Sequence, residues 1–349
     1  MKSTFISTSS ISSATRLALS KVQVQLADAQ KEMTSGRFAD VGLEVGFKTG
    51  QSLSLRQEQT RLKTIIDTNS LVSSRLDTTQ SSLKNIADSA NAFLSQLLAS
   101  NSGGGNTAVV QEEAKSNLEA FVNTMNTTFN DGYLFAGVNT DVKPLTDYYD
   151  TPISANRQAV ANAFLADFGI TQSDPAVPNI TGPAMQTFLD TTFANLLDDP
   201  AWITDWSSAS NQNVRNRIST SELVETSVSA NEDAFRKLAK VYTMVADLGT
   251  QDLGQQAFET VINQAVKDVS VAIQEVTDLQ SRMGISQQRV GDATKRMSIQ
   301  SDILTTQVNA IEGVDPNEAA TRVNELLTQI ETSYALTARI MGLSILNYL

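Results

Sequence analysis

From Phe258 to the last residue the chain carries a stripe of apolar side chains that few folds can accommodate. Phe258, Ile262, Ala265, Val269, Ala272, Val276, Leu279 and Met283 follow one another in steps of four and three, and Val290, Ala293, Met297, Leu304 and Ile311 continue them. Only Ser286, Gln300 and Gln307 place a polar group in that register. A 4-3 alternation held over so many turns is a heptad repeat, the mark of a helix that buries one narrow seam against other helices. At 1.5 Å per residue such a helix is on the order of 80 Å long, more than a globular domain is wide. It pauses at Gly313. Asp315, Pro316 and Glu318 then offer a cap acceptor, a proline at the first helical position and a carboxylate three residues after the cap. A second helix is expected from there. It carries Val323, Leu326, Leu327, Ile330, Tyr334, Ile340, Met341, Leu343, Leu346 and Tyr348, and needs a surface to bury them against.

The other end has the same character. Ser12 or Ser13 is placed to cap a first helix with Leu19, Val22, Leu26, Ala29 and Met33 in register, and Gly36 is a natural stop. Arg37 to Gly50 holds three glycines and reads as a non-helical connection. A second long helix begins near Ser52, with Leu55, Glu58, Leu62, Ile65, Asn69, Val72, Leu76, Thr79, Leu83, Ile86, Ala90, Phe93 and Leu97 as its seam. Asn69 either fixes the pairing register or is a polar residue tolerated at a helix surface. Asn101 to Asn106 is a turn by composition. The helix after it shows Ala114, Leu118, Phe121, Met125 and Phe129 on one face, so the two helices form an antiparallel hairpin.

The period then changes. Tyr133 and Phe135 alternate between Gly132 and Gly137, which reads as a short hairpin strand. Pro144 to Ser221 holds most of the prolines and both tryptophans with only weak periodicity, and reads as a small inserted domain. Val214 to Val228 alternates in part, as a strand does. Asn231 to Leu248 is helical by pattern, with Gly249 behind it.

At 349 residues two or three domains are expected. The fold class is mainly α: a long antiparallel helical rod or coiled coil formed by both chain ends, with a small mixed α/β or β-rich domain in the middle. Residues 1–50 and 312–349 make an inner pair of terminal helices. Residues 51–143 and 222–311 make the rod, with its small hairpin. Residues 144–221 are the outer insert. The expected rod core includes Leu62, Ile65, Val72, Leu76, Leu83, Ile86 and Phe93 from one long helix. Ile262, Val269, Val276, Leu279, Met283, Val290, Met297 and Leu304 come from the other.

Composition narrows the function. A net charge of −12, with no basic cluster, argues against nucleic acid. Cysteine and histidine are absent, which removes disulfides, thiolate sites, the commonest general base and the commonest metal ligand. No apolar run approaches the roughly 20 residues of a membrane span, and Met1 to Ser20 lacks the apolar core of a cleaved secretory signal. Adjacent carboxylates at Glu112-Glu113 and Asp198-Asp199 do not face each other on a helix and read as solvated charge. Ser102 to Gly105 is not followed by Lys-Ser/Thr and is no phosphate loop. Trp202 and Trp206 are spaced to stack on a sugar, but an internal core pair is the better reading. No catalytic residue, cofactor site or metal site is expected.

The terminal stripes are the candidate functional surface. A lone pair of such helices is a poor core, because each has two apolar flanks and the pair covers one. Each buried leucine or isoleucine contributes about 1.5–3 kcal/mol, against a comparable cost of ordering each residue. Packing among copies covers both flanks. The expected assembly residues are Leu19, Val22, Leu26 and Met33 at one end. At the other they are Val323, Leu326, Leu327, Ile330, Tyr334, Ile340, Leu343, Leu346 and Tyr348.

Three stretches resemble the bacterial flagellin superfamily. Met33-Thr34-Ser35-Gly36-Arg37 is similar to the Ser-Gly-x-Arg motif after the first flagellin helix, though Arg37 follows Gly36 without a spacer. Ala335 to Leu349, ending Leu343-Ser344-Ile345-Leu346-Asn347-Tyr348-Leu349, resembles the flagellin terminal helix. Gly132-Tyr133-Leu134-Phe135-Ala136-Gly137 resembles a signature of the hook–filament junction branch more than that of filament flagellins. Asp40-Val41-Gly42-Leu43-Glu44 departs from the segment usual after the first motif. The resemblance implies an extracellular part of the bacterial flagellum, exported unfolded by the flagellar type III pathway. It implies a homo-oligomeric ring between hook-associated protein 1 and flagellin, an export chaperone on the C-terminal stripe, and no membrane insertion. A filament flagellin is the alternative within the family. A secreted glycan-binding surface protein using the tryptophan pair is the alternative outside it.

Overall fold

A computed structural model describes residues 8–100 and 107–346. In chain order the helices and strands are α1 (Thr8–Ser35), α2 (Val41–Val45), α3 (Thr49–Ala99), α4 (Thr107–Met125), β1 (Thr128–Phe129), β2 (Gly132–Tyr133), α5 (Ala155–Phe168), α6 (Gly182–Asp190) and α7 (Thr192–Asn195). They continue with β3 (Arg215–Arg217), β4 (Leu223–Glu225), α8 (Asp233–Asp247), α9 (Gln255–Glu312) and α10 (Pro316–Leu346). The protein is mainly helical, with long helices at both ends and two small two-stranded sheets between them. It divides into a terminal unit, residues 1–64 with 296–349, and a central unit, residues 65–295. Helices α3 and α9 contribute to both.

In the central unit α3 and α9 run antiparallel. Asn69 Nδ2 donates to Thr294 Oγ1 (3.0 Å), Gln287 Nε2 to Asp77 Oδ1 (2.6 Å) and Gln80 Nε2 to the Gln280 carbonyl (2.7 Å), so rising numbers on one helix meet falling numbers on the other. The heptad seams are buried as spaced: Val72, Leu76, Leu83, Ile86, Ala90, Phe93 and Leu97 on α3, and Ile262, Val269, Val276, Leu279, Met283 and Val290 on α9. Asn69 is 1% exposed and also donates to the Ile218 carbonyl (2.9 Å), so it pins the register and is not a surface residue. Helix α4 packs on α8, where Phe121 lies 6.2 Å from Phe235 and 6.1 Å from Tyr242.

Several expectations need correction. The residues between the first and second helices are not irregular. Asp40 accepts from the Leu43 backbone N–H (3.0 Å) and caps α2, a 3-10 turn follows over Gly46–Lys48, and α3 starts at Thr49, earlier than Ser52. Helix α1 is already formed at Thr8, so neither Ser12 nor Ser13 caps it. The glycine-flanked segment pairs only at Gly132–Tyr133, against Thr128–Phe129, through a two-residue turn with Asn130 and Asp131 at positive φ. Leu134, Phe135 and Ala136 are all buried, so their burial does not alternate, and Phe129 lies in β1 instead of continuing α4. The Asn101–Asn106 turn lies outside the described residues.

The segment 144–221 shares its core with the helices. Val160, Phe164, Phe188, Phe193, Trp202 and Trp206 belong to one contiguous cluster with Phe93, Phe121, Phe235 and Val269. The two indoles stack at 5.6 Å and 11°, and Tyr148 stacks on Trp206 at 5.4 Å. Both tryptophans are fully buried, so the core-pair reading holds and neither ring face is open to a sugar.

The register of α9 shifts within the terminal unit. After Met297 the inward positions are Leu304, Val308 and Glu312, while Gln300 and Gln307, expected at the seam, are exposed. A straight helix drifts about 20° per heptad from the 3.5-residue repeat, and an extra four-residue step returns apolar residues to the interface. Here the interface chose Val308 over Gln307.

Candidate assembly surface at the terminal helices

Helices α1 and α10 pack against each other through a short seam: Val22 and Ala29 meet Val323 and Leu326, with Leu26 and Ile330 half-buried beside them. Gln23 Nε2 donates to Tyr334 Oη (3.2 Å) and Arg322 Nη1 bonds Glu32 Oε2 (2.9 Å), so this pair is antiparallel too. Asp315 starts α10 as read from its sequence: its Oδ1 accepts from the Asn317 backbone N–H at 2.8 Å, and Pro316 takes the first helical position.

Two buried carboxylates act as clasps in this unit, Glu32 between α1 and α10 and Glu312 between the end of α9 and the start of α3. The Glu32 side chain accepts from the Ala39 backbone N–H (3.1 Å) and from Arg322. Glu312, 1% exposed, accepts from Ser52 Oγ and from Arg56. Burial pushes the Glu312 carboxyl up, but the hydrogen bonds of Arg56 and Ser52 and the charges of Arg56 and Arg37 outweigh it and hold its pKa below the ordinary 4.5. Between the clasps the two chain segments form one antiparallel bridge, Arg37 opposite Gly313. The Phe38 N–H donates to the Glu312 carbonyl and the Val314 N–H to the Gly36 carbonyl, each at 3.0 Å. Both glycines are required there. Gly36 ends α1 at φ +66°, and a Cβ at Gly313 would lie 2.3 Å from the Asn309 carbonyl oxygen.

The seam uses only part of the expected assembly set. It brings together Val22, Leu26, Val323, Leu326 and Ile330, with Leu19 half-buried. Met33, Leu327 and Tyr334 are exposed, and Glu32 occupies the inward position next to Met33. The side chains of Ile340, Leu343 and Leu346, and all of Tyr348, lie outside the described residues. Of the expected rod core, Leu62 is buried in this unit and Met297 with it, while Leu304 is half-buried; Ile65, at the edge of the central unit, is half-buried too. The pair leaves Leu17, Val24, Leu327, Tyr334 and Leu336 outward, and Leu43 and Phe47 project from the linking segment. The reading of the residues missed Glu32, Glu312 and Phe47. The two glutamates carry no local sign of burial, and Phe47 lay in a stretch taken as irregular.

Elsewhere the carboxylate pairs are surface charge. Asp199 pairs with Arg236 (3.1 Å) and Glu112 with Lys115 (3.9 Å). Among the described residues no three carboxylates group as a metal site, and no described helix is long and apolar enough to cross a membrane.

Two family models match the chain: the bacterial flagellin N-terminal helical region over residues 6–140 and the bacterial flagellin C-terminal helical region over residues 266–349. Together they span well over half of it. No curated protein matches the sequence. Among solved structures, a chain described as a flagellar hook-associated protein from Vibrio parahaemolyticus superposes with a TM-score of 0.54. The match covers 77% of this chain and 99% of the other at 8% identity, a likeness of fold. The paired N- and C-terminal matches fall on the helices that form the terminal unit and its seam, and the chain belongs to the bacterial flagellin family, whose members are structural proteins of the flagellum.

Proposed function

We propose that this chain is a hook–filament junction subunit of the hook-associated protein 3 type, without catalytic activity. It forms a ring between hook-associated protein 1 and the flagellin filament. The terminal helices, 1–50 and 312–349, line the inside of that ring. The rod, 51–143 with 222–311, surrounds them, and residues 144–221 face outward. Export runs unfolded through the flagellar type III channel, with a chaperone on the C-terminal stripe until release, and the mature protein is extracellular. The observation that carries the reading is the apolar flank the α1–α10 pair leaves uncovered, with Leu17, Val24, Leu327 and Tyr334 outward on otherwise regular helices. The Gly132–Gly137 segment favours the junction branch over filament flagellin, as does the fold shared with the Vibrio chain.

Immunogold labelling of isolated flagella tests it. A single band at the hook–filament boundary is the expected result. Label along the whole filament makes the chain a filament flagellin, and label on the cell surface alone makes it neither.

A further inference from the structure

The last turn of α8 borders a polar cavity of about 350 Å3, room enough for a small molecule. The start of α5, the end of α8 and the segments around Ser173 and Asp252 enclose it. Two opposite charges line its wall. Asp247, the last residue of α8, has a side chain 19% exposed and accepts from Tyr148 Oη at 2.8 Å. Arg157 Nε stands 3.6 Å from the same carboxylate, beyond a good hydrogen bond, and its guanidinium lies over the Tyr149 ring at 5.0 Å. Burial pushes the Asp247 carboxyl up, and neither the Tyr148 hydrogen bond nor the Arg157 charge offsets it. Helix α8 also ends here, so its partial negative charge adds to that of Asp247. Asp252 brings a second carboxylate to the wall. Asp247 therefore lacks positive charge on its open side, while Arg157 beside it offers a contact for an anion.

We propose that this cavity binds a free α-amino acid, its ammonium on Asp247 and its carboxylate on Arg157. An amino-acid head carries the two opposite charges on one carbon. It can therefore bridge an acid and a guanidinium that stand too far apart to satisfy each other, through charge-assisted hydrogen bonds at both ends. A simple anion would meet Asp247 and Asp252, and a simple amine would leave Arg157 unused. Gln172, Ser173 and Gln251 line the rest with amides and a hydroxyl, which suits a short polar side chain. The site lies wholly within the central unit and does not depend on the assembly reading.

Titration of the full chain with L-serine, followed by amide NMR, tests the site. Saturable shifts at Ser173, Gly249 and Asp252 with a Kd of about 1 mM are expected for so small a ligand. N-acetyl-L-serine has no ammonium and L-serine methyl ester has no carboxylate, and each is expected to bind about tenfold more weakly. Asp247→Asn keeps an acceptor for Tyr148, and Arg157→Gln keeps a polar side chain. Each variant is expected to lose about tenfold in affinity for L-serine while melting as wild type does. Absence of a saturable shift at those amides overturns the site. Equal binding of the three compounds, or wild-type affinity in either variant, overturns the pairing of the two charges with the amino-acid head. The three compounds are compared on the wild-type chain, so the outcome does not hang on whether a variant folds.

Discussion

At the residue scale the terminal unit depends on a buried carboxylate held by hydrogen bonds. Glu312 loses water on entering the joint and regains hydrogen bonds from Ser52 and Arg56. Removing its charge leaves those donors with a weaker acceptor, so Glu312→Gln should destabilise the terminal unit by about 1–2 kcal/mol at neutral pH. The folded pKa lies below the ordinary 4.5, so the carboxylate's contribution is complete above that value and disappears as pH falls through the lowered folded value. Wild type and E312Q should therefore differ at pH 7 and converge in acid; equal hydrogen-exchange protection of α1 and α10 at pH 7 would refute this. Asn69 plays the matching part in the central unit. Its amide serves the Ile218 carbonyl and Thr294 together, and Asn69→Ala should cost about 2 kcal/mol in thermal unfolding through the partners left unpaired.

At the scale of elements, the α1–α10 pair is held by a thin seam. Its seam has four buried apolar residues, whereas α8 alone buries Phe235, Leu238, Val241, Tyr242, Met244 and Val245. Leu326→Asp places a carboxylate in that seam and should cost about 3 kcal/mol locally. The expected outcome is fast amide exchange throughout α1 and α10, unchanged melting of the central unit, and no incorporation into assemblies. A variant that incorporates normally would remove the seam from any part in assembly.

At the scale of the whole molecule the two units differ in charge as well as in core. Basic and acidic residues nearly balance in the terminal unit, 12 against 11, so the central unit carries the whole of the net −12 and one charge more. A contiguous aromatic core stabilises the central unit, whereas the terminal unit relies on its thin seam and the clasps. Limited proteolysis of dilute monomer should therefore cut before about Ser52 and after about Gly313 and leave a resistant fragment between. Terminal helices that survive as long as that fragment would show that the lone chain already buries what it needs to bury.

The long helices were legible because a heptad is a local signal. Spacing along the chain states which face is apolar, and Asp315-Pro316, Gly36 and Gly249 mark ends by backbone chemistry that acts within a turn. The bare sequence thus determined a helical protein with sticky ends, and the motifs at Gly36, Gly132 and Leu343 pointed to its family. Only the tertiary structure decided which flank of each terminal helix the other covers, where the α9 register shifts to Val308, and which glutamates become buried. It also placed the aromatic residues of 144–221 in the same core as the helices. Those outcomes depend on partners hundreds of residues away, such as Glu32 with Arg322 and Asn69 with Thr294. Burial of a polar group is favourable only once its distant partner is in place, and no local periodicity encodes that.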